Sequence, residues 1–248
     1  MLKLFLPTVD STNRYLLEHA AFLPHFCVLR AGCQSAGRGR FARNWVSPVG
    51  GLWFSLLLKH FPLPRNVIPS LLALAGLDVL EKLCGKGFWL KWPNDIVFST
   101  GMPSTEGKVA GILGQFCGQG EKGVLVVGMG MNINNAVPGK LDFPAVSLRD
   151  VCHQHREVVP VYFALLDAFQ ENWNRFEPGA WKRRVRQKSY FHAGERVSLH
   201  CALSEKRWEG TLVDTPVEAL ELVLDSGESK SFQAGDVRKV RVERGSSR

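Results

Sequence analysis

Val109-Ala110-Gly111-Ile112-Leu113-Gly114-Gln115-Phe116 and then Val124-Leu125-Val126-Val127-Gly128-Met129-Gly130-Met131 are two short apolar runs broken by glycine. They are too brief for a helical stripe and are bounded as hairpin strands are. Upstream, Phe88–Trp92 and Ile96–Phe98 read the same way, so the middle of the chain is predicted to be a sheet of hairpins. On either side the period changes. Leu71, Leu74, Ala75, Asp78, Val79 and Lys82 carry helical spacing, which predicts a helix over Asn66–Leu83 whose first turn admits Pro69. Val161, Leu165, Phe169, Trp173 and Phe176 recur every three or four residues and predict a long amphipathic helix. Asp10-Ser11-Thr12 ahead of Leu16, Leu17 and Ala20 marks a capped helix start, with the helix ending near Ala20. His25–Ala31 and Leu52–Lys59 read as strands. Between them Gly32–Gly51 is a Gly- and Arg-rich loop. A loop of about twenty residues inside a compact domain is usually functional. Helices layered on a mixed sheet make the fold α+β, or α/β-type.

A domain boundary is expected near Tyr190–Ala193, after the basic run Lys182, Arg183, Arg184, Arg186 and Lys188, giving residues 1–190 and 191–248. Past it only short β patterns remain, at Val197–Leu199, Trp208–Val213, Leu220–Leu224, Ser229–Phe232 and Val237–Val242. Tight polar turns such as Asp225-Ser226-Gly227 join them, which suggests a small β-barrel. Gly245-Ser246-Ser247-Arg248 reads as a frayed tail.

The net charge of +8 lies entirely in the first part, where residues 1–190 hold 22 Lys+Arg against 13 Asp+Glu. An anionic partner follows, whether nucleic acid, lipid headgroup or nucleotide. Cys27, Cys33, Cys84, Cys117, Cys152 and Cys201 show neither a C-x-x-C pair nor a regular spacing and read as buried thiols. Cys152, His153 and His155 lie close together, but no second ligand pair accompanies them, so no metal site is expected. The apolar run at the N-terminus is cut short by Pro7 and Asp10, too early for a signal peptide. No stretch reaches the ~20 apolar residues that span a bilayer, so the expected location is cytoplasmic and no membrane partner is expected.

Gly37-Arg38-Gly39-Arg40-Phe41-Ala42-Arg43-Asn44-Trp45 combines close backbone approach with three forked cations, the pattern of an anion-binding loop. By itself it reads equally as a nucleic-acid patch, with Phe41 and Trp45 as stacking platforms, or as a lid over a small ligand. Context decides. Asp10-Ser11-Thr12-Asn13, the arginine loop, Lys91-Trp92-Pro93-Asn94-Asp95, Gly107-Lys108-Val109-Ala110-Gly111-Ile112-Leu113 and Gly128-Met129-Gly130-Met131-Asn132 occur in that order. Together they resemble the biotin protein ligases, firmly over about residues 8–135 and more loosely beyond.

The resemblance implies a class II synthetase-like catalytic domain, with a C-terminal SH3-like β-barrel. It implies biotin and ATP as substrates, Mg2+ carried by ATP, and a biotin carboxyl carrier protein as acceptor. Ser11, Thr12, Asn13 and Gln34 match positions that hold the ureido ring of biotin. Short hydroxyls and amides suit such a neutral group, although Ser11 and Thr12 also serve as a plain helix cap. Gly37, Arg38, Gly39, Arg40 and Gly111 match the surroundings of biotin and its adenylate. Arg40, Arg43, Trp45, Asn94 and Asn132 match the nucleotide side, with Asp95 as a candidate Mg2+ contact. Lys108 matches the catalytic lysine, supported by Arg38 and Arg40. Joining a carboxylate to a phosphate forces two anions together, and in a water-poor site cations must offset that repulsion. The bland readings are an edge lysine for Lys108 and an ordinary turn for Asn94–Asp95. Gly128 and Gly130 lack the third glycine and the helix of a dinucleotide fingerprint.

Ala42 stands where many members carry glycine, and Pro216-Val217-Glu218-Ala219 departs from a Gly-containing turn. The D-S-T-N motif starts at residue 10, so no helix-turn-helix route to DNA is expected. A homodimer is left open. The rival readings are a lipoate or octanoate ligase or transferase of related fold, and a basic nucleic-acid-binding protein using Arg38, Arg40, Arg43 and the Lys182–Lys188 run.

Overall fold

A computed structural model describes residues 1–102, 106–119, 122–139, 141, 143–202 and 204–243. The frayed tail expected at residues 245–248 lies outside the described residues. One sheet holds β1 (Leu2–Val9), β2 (Cys27–Gln34), β3 (Leu52–Leu58), β4 (Phe88–Lys91), β5 (Asp95–Phe98), β6 (Gly107–Gln119) and β7 (Lys122–Met131). Their spatial order is β1-β2-β3-β7-β6-β5-β4. β1 runs parallel to β2, and the pairs β2–β3, β3–β7, β7–β6 and β6–β5 are antiparallel. This is the mixed sheet expected, with one addition. The apolar start that is too short for a signal peptide forms β1, an edge strand with alternating exposure.

Alternation along the strands sorts the two faces. Met129 and Met131 of β7 and Ile96 of β5 approach Gly76 of α2 (Val67–Cys84), so α2 lies on that side. Phe54 of β3 packs edge-on against Tyr162 of α4 (Val158–Asn174) on the same side. The apolar Tyr162 surroundings push its phenol up to about 12, mainly through burial. The other face carries Ser55 and Leu57 of β3 and Val126, Gly128 and Gly130 of β7. There Leu16 of α1 (Thr12–Glu18) and Ala20 just past its end pack with Cys27, Leu29, Leu57 and Val126. α1 covers only part of this face: Gly128 lies beneath Asn13 of its first turn, and Gly111 and Gly130 meet Lys108 and Trp45 instead.

Contacts divide the chain into two compact units, Met1–Trp89 with Asn94–Arg175, and Leu90–Pro93 with Phe176–Arg248. The second unit contains α5 (Pro178–Gln187) and the strands β8 (Arg196–Cys201), β9 (Arg207–Leu212), β10 (Ala219–Leu224), β11 (Ser229–Gln233) and β12 (Val237–Val242). These form an antiparallel sheet in the order β11-β10-β9-β8-β12. Its core gathers Phe191, Val197, Leu199, Leu212, Leu220, Leu222, Val237 and Val240 around Trp92. Leu90 is tied in by its amide to Lys188 O at 2.7 Å and by its carbonyl to Tyr190 N at 2.8 Å. The basic run Lys182–Lys188 proves to lie largely on α5, with Lys188 as its C-cap. Glu177 caps α5, and the amides of Gly179 and Ala180 hold its carboxyl below the usual range. Lys182 and Arg186 are ion-paired at the surface with Glu218 and Asp214.

The reading of all six cysteines as buried thiols is corrected in part. Cys27 and Cys201 are buried, Cys33 is half-buried and Cys117 is exposed. Cys84, the last residue of α2, is disulfide-bonded to Cys152, the last residue of α3 (Leu148–Cys152). The pair stands 68 residues apart with no spacing signature, so only the fold brings it together.

Phe169 of α4 is fully buried and packs against Trp173. Phe169→Ala is expected to lower stability by about 3–5 kcal/mol in urea unfolding, because the ring leaves a cavity between helix and sheet.

Candidate active site

Three glycines set the floor of the site. Gly111 of β6 faces Gly130 of β7, and Gly128 lies two residues back along β7 on the same side. A methyl group at Gly128 would collide with Asn13 Oδ1 and come within 3.0 Å of Ser55 Oγ. At Gly130 it would stand 2.5 Å from Trp45 Nε1, and at Gly111 3.1 Å from Lys108 Nζ. The sheet is therefore bare where polar groups from elsewhere come down onto it.

One end of this floor is neutral and polar. Ser11 caps α1 and accepts from Arg14 N. Gln34 Oε1 accepts from Thr12 N at 2.8 Å and from Thr12 Oγ1 at 3.1 Å, while Gln34 Nε2 donates to Ser47 Oγ at 2.8 Å. Ser55 Oγ stands 2.7 Å from Thr12 Oγ1 and 2.6 Å from Asn13 Oδ1, and donates its one proton between them. Asn13 Nδ2 donates to Gln115 Oε1 and to Leu113 O. Ser11, Thr12, Asn13 and Ser55 are each 5% exposed or less, so this is a closed network rather than a solvated helix cap.

The other end is cationic, and a backbone irregularity puts it there. Ile96 pairs with Ala110, yet Val97 pairs with Lys108, so Val109 is an extra residue in β6. Strict alternation from Gly111 would send Lys108 to the helix side. The bulge turns it back onto the glycine face, a common use of bulges. There Lys108 Nζ meets Asp95 Oδ1 at 2.6 Å and lies 4.7 Å from the Trp45 ring. Arg40 Nη1 reaches Asn94 Oδ1 at 3.3 Å, and Asn94 Nδ2 donates to Ile112 O at 2.8 Å. Burial lowers the Arg40 guanidinium from its ordinary range; Asp95 opposes that shift and Arg43 adds to it.

The arginine loop roofs the floor, and it is more ordered than an irregular loop. Gln34 N bonds Ser47 O, Trp45 N bonds Gly37 O and Gly39 N bonds Arg43 O at 2.7–2.9 Å, so the chain returns along itself. Gly37 is needed because a Cβ there would meet Ser47 Oγ at 2.6 Å. At the tip Phe41 (φ 53°) and Ala42 (φ 56°) are both left-handed. Each such non-glycine residue costs about 1–2 kcal/mol, which makes the tip the strained part of the roof. Trp45 lies over Gly130 with its Nε1 buried and without a hydrogen-bond partner.

The structure thus brings together Ser11, Thr12, Asn13, Gln34, Gly37, Arg40, Trp45, Asn94, Asp95, Lys108 and Gly111. Arg38 and Arg43 project from the loop as exposed side chains, without an ion pair or side-chain hydrogen bond among the described residues. Gly39 turns the loop tip. Asn132 is buried, and its amide is engaged by Lys108 O, Val146 O and Asn135, which places it behind Lys108. Ser55 was missed in the sequence, although one hydroxyl in the otherwise apolar run Leu52–Leu58 is the signal that marks it.

A family model described as the biotin/lipoate A/B protein ligase family matches residues 5–132. The chain belongs to this family. Among curated members, it is 35% identical over 132 residues to the bifunctional ligase/repressor BirA of Escherichia coli, covering 52% of this chain and 39% of that protein. It is 38% identical over 135 residues to the biotin--[acetyl-CoA-carboxylase] ligase of Paracoccus denitrificans, covering 53% of each. The matches thus span about half or less of those relatives' own length. A solved family structure, the biotin protein ligase of Aquifex aeolicus in complex with biotin and ATP, superposes with a TM-score of 0.79 at 29% identity. That superposition covers 97% of this chain and 99% of the Aquifex protein.

Ser55→Ala removes the hydroxyl shared by Thr12 and Asn13 and leaves Asn13 Oδ1 buried without its donor. A stability loss of about 1–3 kcal/mol is expected from denaturant unfolding. Gly130→Val is expected to displace Trp45 and abolish ligand binding while the fold, read by circular dichroism, is retained.

Proposed function

We propose that this chain is a biotin–protein ligase that uses ATP to attach biotin to a lysine of a biotin carboxyl carrier protein. The observation that carries the reading is the two-ended floor: a buried amide–hydroxyl network at one end and Lys108 with Arg40 at the other, bridged by bare glycines. A ligand with a neutral hydrogen-bonding head and an acid tail fits that order. The two molecules in complex with the Aquifex relative, biotin and ATP, supply such a head, such a tail and a phosphate that can be joined to it.

In the first step a carboxylate oxygen of biotin bonds to the α-phosphorus of ATP and the bond to pyrophosphate breaks, giving biotinyl-5′-AMP. Two anions approach, and Lys108 and Arg40 offset their repulsion at the bare floor. Lys108 is held toward that point by Asp95 and by the bulge at Val109. Thr12, Gln34 and Ser55 orient the head, with Ser11 and Asn13 fixing the helix end that carries Thr12. In the second step the acceptor amine bonds to the acyl carbon and AMP leaves with the electron pair of the anhydride bond. Trp45 and the arginine loop keep water off that anhydride, with Arg38, Gly39 and Arg43 at the rim toward the phosphates.

Mg2+ brought in by ATP would fit this end of the site: Asp95 would offer it a carboxylate oxygen, the kind of donor that ion prefers, and it would offset phosphate charge there. Among the described residues no group of three or more His, Cys, Asp or Glu could hold a metal ion. The same proposal assigns residues 1–190 to catalysis and 191–248 to an accessory β-barrel. It places the reaction in the cytoplasm, without DNA or membrane, and is compatible with a homodimer.

The test is biotin-dependent exchange of labelled pyrophosphate into ATP. Lys108→Ala is expected to lower that exchange by roughly 100-fold or more, with the biotin Kd held within about threefold. Absence of exchange in folded, magnesium-replete protein contradicts the reading. Calorimetry separates the lipoate alternative, because a dithiolane or alkyl tail leaves Thr12 and Gln34 without a ligand partner; lipoate binding more tightly than biotin would favour that alternative.

A further inference from the structure

β7 ends at Met131 opposite Ala110, two residues short of Lys108 on the neighbouring strand. Beyond that point another segment takes over the flank of β6. Lys108 N donates to Pro144 O at 2.7 Å, Val146 N donates to Lys108 O at 3.1 Å, and Lys108 bridges Ala145 in parallel. The fit is close, since a Cβ at Gly107 would stand 2.5 Å from Val146 Cγ1. Asn132 Nδ2 reaches the carbonyls of both Lys108 and Val146. On the flank away from β5, the backbone that aims Lys108 is therefore held by residues 144–146.

What holds those residues is short. α3 follows at once and has five residues, far fewer than an isolated helix needs. Its N-terminus is fixed by a capping box between Ser147 and Asp150 and by Leu148 N and Arg149 N on Asn132 O and Ile133 O. Its C-terminus is fixed by the Cys84–Cys152 bond to α2, an eighteen-residue helix in the core. Beyond it Arg156 donates to Leu83 O at 2.8 Å, so loss of the disulfide loosens the segment without releasing it. Cys84 and Cys152 are half-buried residues, unlike the buried Cys27 and Cys201. In a reducing compartment such a bond is conditional.

We propose that the Cys84–Cys152 bond is a reversible tether on the flank of Lys108, closed by oxidation and opened by a dithiol. In opening, a dithiol thiolate attacks one sulfur, and two electrons and two protons pass to the protein. Cys84 and Cys152 become thiols and the dithiol leaves as a cyclic disulfide. A low-molecular-weight disulfide reverses the exchange.

The test compares hydrogen exchange at the amides of Lys108, Val146 and Leu148 in the full chain, oxidised and after dithiothreitol. Exchange about tenfold faster after reduction is expected, with the same rates in the C84S/C152S variant and no further response of that variant to dithiothreitol. Because this reading rests on the ligase proposal for its activity arm, KM for ATP is measured in parallel. It is expected to rise several-fold on reduction while the biotin Kd is unchanged. Equal amide exchange in the two states, both thiols free after treatment with a disulfide, or a dithiothreitol response that persists in C84S/C152S each overturns the tether. Absence of pyrophosphate exchange in both states removes the ligase reading alone, since amide exchange still decides the tether.

Discussion

The register shift between Ala110 and Lys108 is a single extra residue in one strand, and the side of the sheet that carries the cation depends on it. Without Val109 in the bulge, alternation would send the Lys108 side chain toward the helices, where its charge would face α2 and α4 and be heavily penalised. With it, the ammonium emerges over Gly111 and beside Asp95, at the foot of the arginine loop. The ion pair is about a quarter exposed on each side and stabilises the fold little. Its importance is directional, because it holds a flexible four-carbon side chain over the one part of the sheet that has no side chains of its own.

The glycines and the polar network depend on each other in the same way. Asn13 can bond Ser55, Leu113 O and Gln115 only because Gly128 leaves room above β7. Trp45 can lie over Gly130 only because Gly37 lets the loop double back beneath Ser47. Floor, polar end and roof thus come from strands β3, β6 and β7, from the cap of α1 and from the loop after β2. A substitution that adds one carbon to the floor propagates to groups far away in sequence.

Much of this was legible in the residues. Hydrophobic period alone placed α2 to within a residue at each end and found α4, β6 and β7, because those elements bury one strongly apolar face; β6 was read five residues short and β7 two. The capped start at Ser11 followed from its hydroxyl, and the ordered motifs brought Thr12, Gln34, Asn94 and Lys108 forward as a set. Four features were not legible. The N-terminal strand β1 was hidden because five of its eight residues are exposed at a sheet edge. α5 was hidden because Pro178-Gly179 opens it and most of its length is charged, leaving Trp181 and Val185 as its buried residues. The bulge at Val109 and the Cys84–Cys152 bond leave no mark in sequence spacing, since both are defined by what the fold places opposite them.

The most direct measurement is a crystal structure of the chain with biotin and a non-hydrolysable ATP analogue. The expected result has the ureido ring bonded to Thr12 and Gln34, and the acid lying over Gly111 and Gly130 with Lys108 Nζ about 3 Å from a carboxylate or α-phosphate oxygen. A ligand bound elsewhere, with Trp45 unmoved over Gly130 and Lys108 touching neither compound, would contradict the account.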